Sequence, residues 1–124
     1  MHPPRYARES DIEELEILAG ELLPGIPVPV FRVDQSDHFC VIIHGGYVYA
    51  RVERWNGERV AFVLSAAALP TALPEHRREA YRMLEEWSQK RGVGRIMAFT
   101  KTPEVFLKHW GFLLESFVIS KTVT

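Results

Sequence analysis

The side chains in this chain that can do chemistry rarely stand at a spacing that chemistry requires. The five histidines, His2, His38, His44, His76 and His109, are read as lacking a ligand-type partner at i, i+3 or i, i+4, so no metal site is expected. The single cysteine, Cys40, stands beside Val41 and Ile42 in an apolar run, where a buried inert thiol is expected ahead of a nucleophile. One cysteine also rules out an internal disulfide and any metal cluster with cysteine spacing. Tyr47, Tyr49 and Tyr81 are phenols on amphipathic elements, which suits packing with the hydroxyl near water. Glu53 and Glu58 flank a hairpin turn, where exposed charge is enough to explain them. Ser65-Ala66-Ala67-Ala68 closes an apolar strand with four small residues, which lets another chain segment or a ligand come close.

The elements that must position these residues are better marked. Ser10-Asp11-Ile12-Glu13 reads as a capping box, and Ile12, Leu15, Leu18, Ala19 and Leu22 continue a helical stripe, predicting a helix from Ser10 to Leu23 that Pro24-Gly25 stops. Prolines 27 and 29 make Gly25 to Val33 an extended loop or edge and argue against a helix there. A short edge strand is expected around Tyr6. His38 to His44, Tyr47 to Arg54 and Arg59 to Ser65 alternate as strands, joined by Gly45-Gly46 and by Trp55-Asn56-Gly57-Glu58. Val60, Phe62 and Leu64 fall on one face of the third strand.

Ala80, Met83, Leu84 and Trp87 stripe a charged helix from Glu75 to Lys90 that Gly92 ends. Val93 to Thr100 then forms a strand that joins the meander in parallel through this helix. Thr102-Pro103 opens a short helix to Trp110, and Phe112 to Val123 is expected to be one extended stretch. The class is α/β (α+β): an antiparallel meander followed by a parallel crossover, with helices on both faces of a mixed sheet.

At 124 residues the chain is long enough for one core, and a single domain over 1–124 is expected. A net charge of -1 with both signs interspersed argues against a nucleic-acid or membrane-surface protein, whose contacts need clustered cations. No apolar run reaches a membrane span, the start is not that of a secretory signal, and one cysteine suits a reducing compartment, so a cytoplasmic setting is expected.

The segment from Arg82 to Phe112, ending in Phe106-Leu107-Lys108-His109-Trp110-Gly111-Phe112, resembles the C-terminal half of GCN5-related N-acetyltransferases (GNATs). In that family a long helix ends in a glycine turn, a strand follows, and a short helix closes on a Phe-Tyr-x-Lys-x-Gly-Phe pattern. The resemblance implies acetyl-CoA as cofactor and three devices. A glycine-rich loop, Arg/Gln-x-x-Gly-x-Gly/Ala, holds the cofactor diphosphate; it falls on Ala72-Leu73-Pro74-Glu75-His76-Arg77, which has no glycine. Arg77, Arg78 or Lys101 would have to hold phosphates by side chain instead. A tyrosine that protonates the departing thiolate falls on Leu107, which cannot do so; Tyr81 is the weak substitute. A carboxylate or water chain that accepts the amine proton sometimes lies, in the family, in the region of the second hairpin, flanked here by Glu53 and Glu58.

By the resemblance, Ser65, Ala66 and Ala67 either open the slot where the pantetheine arm lies in the family or let the following loop pack closely, and the sequence does not choose between these. The expectation is a diverged GNAT that has lost efficient acetyl-CoA chemistry and serves as a binding or structural module. The alternative is a working N-acetyltransferase. The closing helix also resembles GNAT-like proteins of tailed phages, which implies a virion-associated setting. A protein partner or a second copy of the chain would meet it near Trp55 or at the edge near Phe31.

Overall fold

A computed structural model describes residues 3–34, 36–99, 113–115 and 118–123, with the backbone alone at 99, 113–115 and 118–121. The expected helix from Pro103 to Trp110 and the residues His2, Lys101, Leu107, His109 and Phe112 lie outside the described residues.

Turn chemistry sets the register of the sheet. Strand β2 (His38–Ile43) is joined to β3 (Gly46–Trp55) and β3 to β4 (Glu58–Ala68), each pair antiparallel. Trp55 pairs with Glu58, so Asn56 and Gly57 form the two-residue turn, at positive φ of 50° and 80°. This is the primed turn whose twist matches that of the strands. The first turn differs from the expectation: Ile43 pairs with Gly46, so its centre is His44-Gly45 rather than Gly45-Gly46. Gly46 is strand, and a Cβ there would lie 2.7 Å from the Ala67 carbonyl oxygen, so close approach is what requires this glycine.

Strand β1 (Arg5–Tyr6) covers the outer edge of β2, as expected around Tyr6. Helix α1 (Ile12–Leu22) follows a 3-10 turn over Glu9–Asp11. The start of this helix corrects the sequence reading. The capping carboxylate is Asp11, which accepts the Arg8 backbone N–H at 2.8 Å, not Glu13 reaching back to Ser10. The reason is tertiary. Arg5 on β1 donates to both Asp11 oxygens, at 2.7 and 3.0 Å, and holds that carboxylate in the earlier position. The segment from Pro24 to Asp34 contains no helix or strand, consistent with its prolines.

Helix α2 (Pro74–Lys90) crosses over and returns the chain to β5 (Arg95–Phe99), which pairs in parallel with β4. Its C-terminus is a Schellman motif: Val93 N–H donates to the Ser88 carbonyl at 3.0 Å, Gly92 N–H donates to that of Gln89 at 3.0 Å, and Gly92 has φ of 67°. The stretch from Phe112 to Val123, expected to be one extended run, contains two strands. They are β6 (Leu113–Glu115) and β7 (Val118–Thr122), paired antiparallel with Glu115 opposite Val118. Strand β7 pairs with β5, and β6 covers its outer edge, which would otherwise present unpaired amides. Among the described residues the sheet order is β1-β2-β3-β4-β5-β7-β6.

Among the described residues, each face of the sheet buries one helix. Phe39, Val41, Val63, Ile96 and Ala98 pack with Ala80, Leu84 and Trp87 of α2. On the other face Cys40, Ile42, Tyr47 and Tyr49 pack with Leu15, Leu18 and Ala19 of α1 and with Phe31. Val60 and Phe62 form a separate cluster with Met97, as their shared face predicts. Leu64 does not join them, because the strand changes its phase there.

Candidate functional site

That change of phase builds the site. Tyr49 pairs with Ser65 and Ala50 with Val63, so Leu64 is an extra residue in β4, a bulge. Parallel pairing of β4 with β5 ends at Val63 opposite Ala98. Beyond it β4 continues against β3 to Ala68, opposite Gly46. Among the described residues, the edge of β4 from Leu64 to Ala68 that faces β5 therefore has no strand partner. An unpaired edge of this kind presents backbone N–H and C=O groups to an extended ligand. Ser65, Ala66, Ala67 and Ala68 line it with small, half-buried side chains.

The two faces of this slot differ. Ala66 and Ala68 pack toward α2 and Ala67 toward the α1 cluster. The Ser65 hydroxyl is hydrogen-bonded to that of Tyr47, on the preceding strand, at 2.7 Å. Burial raises the Tyr47 phenol above its ordinary value while the bond to Ser65 opposes the shift, so Tyr47 is a neutral donor or acceptor at the slot. The sequence reading named both residues but did not join them. The pair is diagonal across β3 and β4, and finding it requires the bulge register.

The loop after β4 leads directly to the opening of α2. Leu69 N–H donates to the Gly45 carbonyl at 2.8 Å, and Ala72 N–H to that of Leu69 at 2.9 Å. Leu73 is the N-cap, with extended backbone and no side-chain cap. Pro74 has no N–H, and the N–H groups of His76 and Arg77 donate to the Leu73 carbonyl at 3.0 and 3.2 Å. Of positions 74–76, Glu75 alone keeps an amide without a bond among the described residues, and its carboxylate belongs to the first turn, the positive end of the helix. Arg77 is half-buried and Arg78 exposed, and neither guanidinium has a partner among the described residues. The buried Nδ1 of His76 also has no hydrogen-bond partner among them.

Other candidates lie elsewhere. Glu53 is ion-paired with Arg51 on β3. Glu53 stands four residues from Tyr49, the residue opposite Ser65, or ~13 Å along the strand at ~3.3 Å per residue. Glu58 is 3.8 Å from the Arg95 guanidinium. Tyr81 packs against the α2 cluster, on the face opposite to the Tyr47–Ser65 pair, and burial raises its phenol. The Tyr49 hydroxyl accepts the Arg32 N–H and donates to the Val30 carbonyl, each at 3.1 Å, so it anchors the proline segment.

Cys40 is buried, and burial pushes its thiol up to about 12, in keeping with an inert role. His38 does have a carboxylate four residues away, against the sequence reading: Asp34 Oδ1 lies 3.4 Å from its Nδ1. Two such groups do not make a metal site, and no cluster of three possible ligands occurs among the described residues. Phe31 is not an exposed edge, since it is buried edge-on against Tyr47, and Trp55 packs against Phe62. Phe31 also floors an open cleft of about 500 Å³ on the α1 side, flanked by Arg8, Arg32 and Asp34.

No protein-family model matches the sequence, and no curated protein matches it. Solved structures do. N-acetylglutamate synthase from Neisseria gonorrhoeae, complexed with coenzyme A and N-acetyl-glutamate, superposes with a TM-score of 0.65 at 12% identity over 98% of this chain and 35% of that one. This chain thus spans about a third of the synthase. The ribosomal-protein-S18-alanine N-acetyltransferase from Escherichia coli gives 0.65 at 11% identity, covering 100% of this chain and 95% of that one. Nourseothricin acetyltransferase gives 0.62 at 18% identity, covering 98% of each. No helix among the described residues is long and apolar enough to cross a membrane. The meander, the parallel crossover and these superpositions together identify the fold of this chain as that of the GCN5-related N-acetyltransferases.

Proposed function

We propose that this GNAT-fold domain retains the slot for a thioester arm but has lost efficient acetyl-CoA-dependent transfer, and that it acts as a binding or structural module toward a protein partner or a second copy of itself. The observation that carries this reading is the opening of α2. A diphosphate is held at a helix N-terminus by free amides and the helix dipole. Here Pro74 removes one amide, the Leu73 carbonyl occupies that of His76, and Glu75 brings a carboxylate to the same place. The small side chains along the β4 edge support a place for the arm, and the opening of α2 argues against a backbone cradle for the diphosphate. Calorimetric titration with acetyl-CoA and with CoA tests the reading. Binding no tighter than millimolar is the expected result, and micromolar binding with turnover of an amine would overturn it.

One observation favours a second reading, an active N-acetyltransferase that moves an acetyl group from acetyl-CoA to an amine. Arg77 and Arg78 carry no partner among the described residues and stand in the first two turns of α2, within reach of a ligand at its N-terminus. Charge-assisted bonds from them would replace the missing amides. In that case Arg77→Ala and Arg78→Ala each weaken acetyl-CoA binding by ~1.5 to 3 kcal/mol. Under the first reading both substitutions are silent in the same titration.

A further inference from the structure

The cleft on the α1 side shares no residue with the edge of β4 or with α2. It is enclosed by the connection from β1 to α1 and by the segment that leads into β2. Its volume of about 500 Å³ falls in the range of small-molecule sites, roughly 300 to 1,000 Å³. The floor is apolar: Phe31 and Ala7 are buried and Ile12 is half-buried. The rim carries charge of both signs, Arg8 and Glu9 from the first segment and Arg32 and Asp34 from the second.

Opposite charges around one cleft would be expected to pair with each other, and here they do not. The guanidinium groups of Arg8 and Arg32 and the carboxylate of Glu9 form no ion pair among the described residues. Asp34 Oδ1 lies 3.4 Å from His38 Nδ1 and accepts the Ser36 hydroxyl at 3.4 Å, which orients that carboxylate without an arginine. The nearby Asp11 is not available to Arg8 as a counter-ion, because Arg5 takes both of its oxygens. Both segments are anchored elsewhere, so the rim is held open. The Tyr49 hydroxyl bonds the Arg32 N–H and the Val30 carbonyl to β3, and the Arg8 N–H is bonded to Asp11.

We propose that this cleft binds a small zwitterion with an apolar body, its carboxylate on Arg8 and Arg32, its ammonium on Asp34 and Glu9, and its side chain over Phe31. A simple anion would leave two carboxylates facing it, and a simple cation two guanidinium groups; a ligand that bears both charges satisfies both sets. Two sources share this chemistry, a free α-amino acid with an apolar side chain and a short apolar peptide with free termini. The proposal goes beyond the reading of β4 and α2 and holds whether or not acetyl-CoA binds there.

The test titrates the full chain with L-leucine and with leucyl-leucine, read by calorimetry and by amide chemical shifts. At least one should bind more tightly than about 10 mM and shift the amides of Ala7 to Ile12 and of Phe31 to Asp34. Tighter binding of the dipeptide identifies a peptide as the source; equal or weaker binding identifies the amino acid. No binding by either, or shifts confined to Leu64 to Ala68, overturns the proposal. The tighter of the two is then compared with its N-acetyl form, which lacks the ammonium, with its C-terminal amide, which lacks the carboxylate, and with glycine or glycylglycine, which lack the apolar body. Each comparison should weaken binding by about tenfold or more, and a smaller loss from any of them overturns the zwitterion assignment. Two paired variants, Arg8→Gln with Arg32→Gln and Glu9→Gln with Asp34→Asn, should each cause a loss of that size, and a folded variant that keeps its affinity refutes the role given to its pair. The capped ligands act on the unaltered chain, so they decide the matter even where a variant fails to fold.

Discussion

Asp11 shows what one residue contributes here. Its carboxyl is held at about 2, from an ordinary 3.8, chiefly by the hydrogen bond from Arg5, with the Arg8 N–H assisting and burial opposing. A carboxylate depressed in the folded state adds stability above its unfolded value and loses it as pH falls through the folded one. The chain should therefore lose up to ~2 kcal/mol of stability between pH 4 and pH 2 from this group alone, less some screening at the partly exposed Arg5. Urea unfolding across that range checks it: Asp11→Asn should be less stable at pH 7 and should flatten the acid limb. At the same scale, Tyr47→Phe removes one neutral hydrogen bond to Ser65 and should cost ~1 kcal/mol in the same assay. The sequence could not show either interaction. Arg5 and Asp11 lie on different elements, and Tyr47 meets Ser65 only when the strand register is known, whereas the burial of Cys40 was legible from its apolar neighbours.

Elements were legible wherever turn chemistry and period agreed. Asn56-Gly57 allows little but a primed hairpin, and the stripe Ala80, Leu84, Trp87 with Gly92 beyond it defines α2 from its interior to its last carbonyl. The bulge at Leu64 was not legible, because one extra residue in a strand leaves no mark in composition and only breaks the alternation. The C-terminal stretch was legible as extended, but its division into two strands paired with each other was not, because an apolar stretch reads as extended whether or not it pairs with itself. Two substitutions in α2 separate packing from capping. Trp87 is 2% exposed and meets the Phe39 ring at 5.6 Å, so Trp87→Ala should cost ~3 to 5 kcal/mol. A Cβ at Gly92 meets nothing within 4 Å, so Gly92→Ala pays only for its left-handed backbone, ~1 to 2 kcal/mol. Thermal unfolding of both variants measures the two costs, and equal losses would contradict this division.

At the scale of the whole molecule the site belongs to no single element. Strand β3 holds β4 to its end at Ala68, the pairing of β4 with β5 runs to Val63 among the described residues, and α2 opens after the five intervening residues 69–73. The order of elements in the sequence predicted that β4 and β5 would be parallel neighbours; it did not predict where they part, which depends on the bulge. A consequence is an alternating pattern of exchange along β4. Backbone N–H groups that point at β3 are in the ladder along the whole strand. Those that point at β5 have a partner strand through Val63 and none among the described residues from Leu64 onward. Hydrogen exchange followed by NMR should therefore find neighbouring amides of Leu64 to Ala68 differing strongly in protection, while Ala61 to Val63 are uniformly slow. A ligand that adds a strand-like chain to this edge should slow the fast members of the set and leave the slow ones as they were. Uniform protection from Ala61 to Ala68 in the free protein would mean that the edge is already filled, and the slot could then receive no arm.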